Sequence, residues 1–181
     1  MVQWNIAAVV GVPGVGKTSL CREAAELVGS THVNYGDLML EIARLEGLAE
    51  TDSEMFSLDL DIQHRIWRTA ALRASSMSNI ILDLHGIDKS SIGYITSFPV
   101  EIISPDIVVI VESSYENVIK RRYADSSKKR VLEDSKSLYE HMNLLRSSVA
   151  VFSVFSGFTF TVVDNNNFKE CLEQIVAVLK R

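Results

Sequence analysis

Gly11-Val12-Pro13-Gly14-Val15-Gly16-Lys17-Thr18 matches G-x-x-x-x-G-K-[ST] at every fixed position. Glycines at that spacing let successive backbone N–H groups turn toward one point and form an anion nest. The loop follows a short apolar run and opens a helical pattern, so a helix N-terminus adds partial positive charge there. Lys17 is expected to reach the β- and γ-phosphates of a bound triphosphate, and the Thr18 hydroxyl, with Ser19 beside it, to face the phosphates and Mg²⁺. A second run, Asn79-Ile80-Ile81-Leu82-Asp83, ends on a carboxylate. An acidic residue at such a strand end holds Mg²⁺ through water, so Thr18 and Asp83 are the candidate metal ligands.

Phosphate binding alone does not name a reaction. Asp83-Leu84-His85-Gly86 satisfies D-x-x-G, but no guanine-reading N/T-K-x-D string occurs, which argues against a Ras-type GTPase. The segment 120–130 (KRRYADSSKKR) holds six of the eighteen lysines and arginines in a chain of net charge -5. A solvated helix end is the ordinary reading of such a run. A small-residue stretch inside it and Arg146 on the next helical pattern suit an arginine-bearing flap over a triphosphate, where guanidinium forks and Mg²⁺ stabilise the transferring group. No catalytic base stands out. A phosphate acceptor needs none, because its second pKa lies near about 6. A hydroxyl acceptor, as in sugar or shikimate kinases, would call for a carboxylate, and Asp37 is available.

The 181 residues suit one domain, 1–181, without internal repeat or linker. The acidic balance argues against a general nucleic-acid coat. Two distant cysteines, Cys21 and Cys171, make neither a disulfide framework nor a cysteine zinc site. The apolar run before Gly11 is too short for a signal core or a membrane span, so a soluble cytoplasmic protein without membrane contact is expected.

The elements that must position these residues alternate. Buried strands are predicted at Trp4–Val10, at His32–Tyr35, at Asn79–Asp83, at Ile107–Glu112 and at Phe158–Val163. Helices are predicted after Gly16 up to Gly29, from Gly36 to about Leu45, from about Leu58 to Met77, after a capping box at Ser113-Ser114-Tyr115-Glu116, from Ser135 onward, and over Phe168–Leu179. The helix from Ser135 carries a stripe of Leu138, Met142, Leu145, Val149 and Phe152. Alternation of this kind predicts a three-layer α/β P-loop NTPase fold, a five-stranded parallel sheet with helices on both faces. His64 and His141 read as helix-surface residues, and Trp4 and Trp67 as packing.

The chain resembles the archaeal adenylate kinases over nearly its whole length. The resemblance is carried by GVPGVGKT, by Asn34-Tyr35-Gly36-Asp37-Leu38-Met39, by Ile81-Leu82-Asp83-Leu84-His85 (similar to the family's I-D-T-H), by Gly93-Tyr94 with Pro99, and by Ser104-Pro105-Asp106 with the strand to Glu112. Arg121, the D-S-S-K-K-R string ending at Arg130, and Arg146 extend it. It implies Mg²⁺-dependent transfer, ATP + AMP ⇌ 2 ADP, with an AMP-binding region over about 34–78, a short cysteine-free lid over about 122–134, and a homotrimer. By the same resemblance Lys17, Arg121, Arg130 and Arg146 would clamp the transferring phosphoryl group. Gly36, Asp37 and Met39 would approach AMP, with His85 and Gln63 within reach, the latter an amide able to read adenine's edge. The interface stripe would be Leu138 to Phe152, which ordinary core packing explains as well.

Relatives read D-R-D-x-M-R after the AMP-site helix, whereas this chain has Thr51-Asp52-Ser53-Glu54-Met55-Phe56, so both arginine positions are non-basic. Lys89 and Lys128 stand where relatives tend to carry arginine; lysine keeps the charge and loses the bidentate fork. Arg44 or Arg65 would then compensate. The departures leave two other readings open: a monophosphate kinase for another base, and an adenylate-kinase-like ATPase that uses segment 120–130 on RNA in ribosome assembly.

Overall fold

The structure is a computed structural model, which describes residues 4–90, 93–124 and 133–181. The strand β1 (Ile6–Val10) is buried along its whole length, as a run without polar alternation requires. It leads through the glycine loop into α1 (Lys17–Val28), which stops where Gly29 takes a left-handed conformation. Then follow β2 (Thr31–Asn34), α2 (Tyr35–Leu45), α3 (Asp52–Met55), α4 (Leu60–Ser75) and β3 (Ile80–Asp83). A hairpin, β4 (Ile87–Lys89) with β5 (Tyr94–Thr96), precedes β6 (Ile107–Glu112), α5 (Tyr115–Ala124), α6 (Ser135–Ser156), β7 (Thr159–Asp164) and α7 (Phe168–Leu179).

The main sheet has five strands in the order β2-β3-β1-β6-β7, each neighbouring pair parallel. The predicted three-layer α/β architecture is therefore observed. On one face Ala8, Val10, Leu82 and Ile110 pack against α2, α4 and the later part of α6. On the other, Ala7, Val9, Ile81 and Val109 pack against α1 and α7. The chain order places the ends of β1, β3 and β6 side by side, which brings Val10, Asp83 and Glu112 to one rim.

Several expectations are corrected. The hairpin β4–β5 is absent from the strand predictions, because three-residue strands show too little alternation to register. Tyr35 opens α2 and does not end β2, since Asn34 accepts a hydrogen bond from the Asp37 N–H and caps the helix one residue early. The capping box expected at Ser113–Glu116 does not form: Ser114 caps Asn117, and the Ser113 hydroxyl bonds Asn165 O. A true capping box joins Thr51 and Glu54 at the start of α3. His141 is buried, not on a helix surface. The stripe Leu138, Met142, Leu145 and Val149 is core, which removes it as an interface; the outward residues of α6 include Val151, Val154 and Phe155.

Ile110 is fully buried at the centre of the sheet, whereas Leu72 on α4 is 60% exposed. Urea unfolding of Ile110→Ala is expected to show a loss of about 2–5 kcal/mol, and of Leu72→Ala a change within about 0.5 kcal/mol. Equal losses for the two would contradict the assigned layers.

Candidate phosphate-binding site

A loop that turns its amides inward must turn carbonyls outward, and each buried carbonyl needs a donor. The Lys17 ammonium donates to Gly11 O at 2.6 Å and Val12 O at 3.3 Å. Arg122 Nε donates to Pro13 O at 2.9 Å. Val15 O accepts from Arg121 Nη1 at 2.9 Å and from Asn165 Nδ2 at 2.8 Å. The Gly11 N–H donates to His85 O at 3.2 Å, tying the loop to the end of β3. Gly16 sits at φ +98°, and a Cβ there would lie 2.5 Å from Asn165 Nδ2, so only glycine fits both the turn and the brace.

Asp83 is the second focus. Its Oδ2 accepts from the Thr18 hydroxyl at 2.7 Å and the Asn34 amide at 2.9 Å, and His32 Nε2 stands 3.6 Å away. Burial pushes the Asp83 carboxyl up, but the His32 ring, the Lys17 ammonium and the Thr18 hydroxyl outweigh it and hold the group below its ordinary value. Asn34 belongs to this cluster, although it forms part of no phosphate-loop motif. One amide joins the Asp83 carboxylate to the first turn of α2, where Gly36 and the exposed Asp37 lie. Its signal was available: an asparagine before a helix, two residues ahead of a glycine.

Of the expected arginines, Arg121 and Arg146 occupy different settings. Arg121 backs the loop, donating also to Asn165 O at 2.7 Å and Ser113 Oγ at 3.2 Å. Arg146 forms a two-point fork on Glu112 at the end of β6. Arg130 and Lys128 lie outside the described residues. Arg122 is buried and pairs with Glu133 at 3.0 Å; Glu133 also meets His141 Nδ1 at 3.2 Å, whose Nε2 lies 3.0 Å from Ile87 O. Lys89 reaches the same cluster through Glu133 and Ser137. Burial raises the Glu133 carboxyl, yet His141 and Arg122 pull it below its ordinary value. This cluster joins the loop, the hairpin and the start of α6; nothing in spacing reveals it, because its members come from four separate segments.

On the prospective acceptor side, Met39 is buried in the core beneath α2. The Gln63 amide donates to Phe56 O at 3.2 Å and Leu58 O at 2.7 Å, closing the turn between α3 and α4. His85 Nδ1 lies 2.6 Å from Asp88 Oδ1 at the exposed mouth of the hairpin. Arg44 bonds Glu50 O, and Arg65 pairs with Glu46 at 2.6 Å; both arginines are largely exposed.

Lowering of the Asp83 carboxyl has a stability consequence. A group whose folded pKa is depressed stabilises the fold above its unfolded value and loses that contribution as pH falls through the folded one. Asp83→Asn is therefore expected to be less stable than the parent at neutral pH, with the gap narrowing as pH drops below about 4. Urea midpoints measured across that range test it, and a constant gap would contradict it.

Residues 10–139 match the family described as AAA domain. An adenylate kinase homolog of Methanothermobacter thermautotrophicus is 46% identical over 173 residues, 96% of this chain and 91% of that one. The adenylate kinase of Methanoculleus marisnigri is 36% identical over 95% of this chain and 96% of its own. Among solved structures, a shikimate kinase from Bacteroides thetaiotaomicron superposes with a TM-score of 0.64 at 13% identity, covering 98% of this chain and 99% of that one, a likeness of fold. The intact phosphate loop and identity sustained across both chains lead to one conclusion: this chain belongs to the archaeal adenylate kinase family, on the P-loop fold of the AAA-domain match.

Proposed function

We propose that the protein is a cytoplasmic phosphotransferase catalysing ATP + AMP ⇌ 2 ADP with Mg²⁺. The observation that carries this reading is the coupling of a complete donor loop to Asp83 and, through Asn34, to the helix start of the acceptor region. The loop N–H groups and the α1 N-terminus bind the donor phosphates. Lys17 exchanges its bonds to Gly11 O and Val12 O for phosphate oxygens. Thr18 and Asp83 offer oxygen donors 2.7 Å apart beside the loop, the hard ligands that suit Mg²⁺. When bound, Mg²⁺ neutralises charge across the β- and γ-phosphates. Arg146, Arg130 and Arg121 supply guanidinium forks around the transferring group, with Arg121 also bracing the loop from behind. A lid over about 122–134, most of which lies outside the described residues, would exclude water, with Arg122 paired to Glu133 at its described ends.

AMP is accepted along the first turn of α2, at Gly36 and Asp37, with His85 at the rim and Gln63 shaping the α3–α4 turn. The capped α3 replaces the arginines that relatives carry there. Arg44 and Arg65 supply the acceptor's positive charge instead. Their ion pairs are exposed, so each is worth only about 0–1 kcal/mol and a phosphate dianion displaces it readily.

The non-basic Asp52 and Phe56, where relatives carry arginine, leave a second reading, an ATPase that needs no monophosphate and uses the basic segment 120–130 on RNA in ribosome assembly. The homotrimer implied by the resemblance fits the exposed Val151, Val154 and Phe155 of α6, next to the edge strand β7 with Phe160 and Val162. Sedimentation of Phe155→Glu as a monomer against a trimeric parent would support that face, and an unchanged trimer would exclude it.

ADP formation from Mg·ATP is expected to rise well above the water-only rate with AMP and little with other monophosphates. Turnover indifferent to every monophosphate would favour the ATPase. Lys17→Ala is expected to abolish transfer, and Arg121→Ala to lower kcat by about 10²-fold or more with a smaller change in KM for ATP. An unchanged kcat in Arg121→Ala would remove that residue from the clamp.

A further inference from the structure

One group of side chains near the loop has no part in holding phosphate. Cys21 lies on the second turn of α1, His32 within β2, and Asp83 at the end of β3. His32 and Asn34 share a face of β2, and β2 pairs with β3 so that His32 lies opposite Ile81 and Asn34 opposite Asp83. That face is the one covered by α1, which brings a helix cysteine over a strand histidine and a strand-end carboxylate. One ligand atom from each of the three lies within 4.8 Å of the other two.

Two further observations bear on what the group binds. His32 Nε2 is buried and makes no hydrogen bond of ordinary length, its ion-pair partner being the Asp83 carboxylate. It stands 3.6 Å from Asp83 Oδ2. Nitrogen and oxygen ligands each about 2.0–2.1 Å from a tetrahedral ion are separated by about 3.4 Å, so this pair is already near coordinating separation. A metal–thiolate bond of about 2.3 Å then asks the Cys21 sulfur to close by about 1 Å, a side-chain adjustment. Sulfur and imidazole donors select zinc-like ions over Mg²⁺, which prefers oxygen.

We propose that Cys21, His32 and Asp83 form a binding site for a thiophilic divalent cation of the zinc class, separate in chemistry from the Mg²⁺ site. Three protein ligands leave a fourth position for water, in the pattern of an open zinc centre. The thiol proton leaves to solvent as the metal–sulfur bond forms. The His32 side chain is 18% exposed and is the open side of the group. A cation held there takes the Asp83 carboxylate away from Thr18 and Asn34. Resting on the reading of Asp83 as the Mg²⁺ carboxylate, its occupancy would hold the kinase inactive until the ion is removed.

The test uses the full chain without nucleotide or Mg²⁺, so it does not depend on the kinase reading. Titration with Co²⁺ is expected to build a thiolate-to-metal charge-transfer band that saturates at one equivalent and is displaced by Zn²⁺. Cys21→Ser is expected to abolish the band, His32→Gln to weaken binding by about tenfold or more, and Cys171→Ser to leave both unchanged. X-ray absorption of the zinc-loaded parent, which needs no variant to fold, is expected to show one sulfur at about 2.3 Å among nitrogen and oxygen neighbours. A cobalt complex without the band, a band that survives Cys21→Ser, or a shell of nitrogen and oxygen alone would overturn the proposal.

Discussion

A loop that points its N–H groups at a ligand leaves its carbonyls facing the protein, and most of the site follows from how those carbonyls are satisfied. Lys17 takes those of Gly11 and Val12, Arg122 that of Pro13, and Arg121 with Asn165 that of Val15. Basic side chains suit the task because a charged donor makes a stronger hydrogen bond than a neutral one. The loop is thus held open by cations that also raise the local positive potential. Arg121 and Arg122, which as sequence form part of a charge run, are split by structure into a brace behind the loop and a buried ion pair with Glu133.

Asp83 connects this donor half to the rest. Its carboxylate gathers Thr18 from α1, Asn34 from the start of α2, and His32 from β2, three elements brought together only because β3 lies between β1 and β2. Asn34 carries the coupling further, since its other amide atom caps the helix on which Gly36 and Asp37 sit. The Asp83 carboxylate is therefore joined to the first turn of α2 through one side chain. The same convergence sets Cys21 and the His32 ring beside the carboxylate.

The long strands and amphipathic helices were legible because their patterns are strong: five successive apolar residues in β1, or Leu138 to Val149 along α6. Short pieces were not. The three-residue strands of the hairpin and the four-residue α3 hold too few residues for any period, and α3 is visible only through its Thr51–Glu54 cap. His141 was misread for a related reason. A histidine on a helix looks exposed unless its partners are known, and here they are Glu133, eight residues away, and the Ile87 carbonyl on the hairpin.

By itself the sequence determined the phosphate-loop motif and the order of the longer strands and helices, because each depends on contacts within a few residues or on a local period. Tertiary structure alone decided which carbonyl each cation holds, that Asp83 joins Thr18 to Asn34, and that Arg44 and Arg65 are engaged by Glu50 and Glu46. Those pairings span separations from five residues to more than a hundred, up to 150 between Val15 and Asn165. The long-range ones exist only once sheet order and register have fixed which strand ends share a rim.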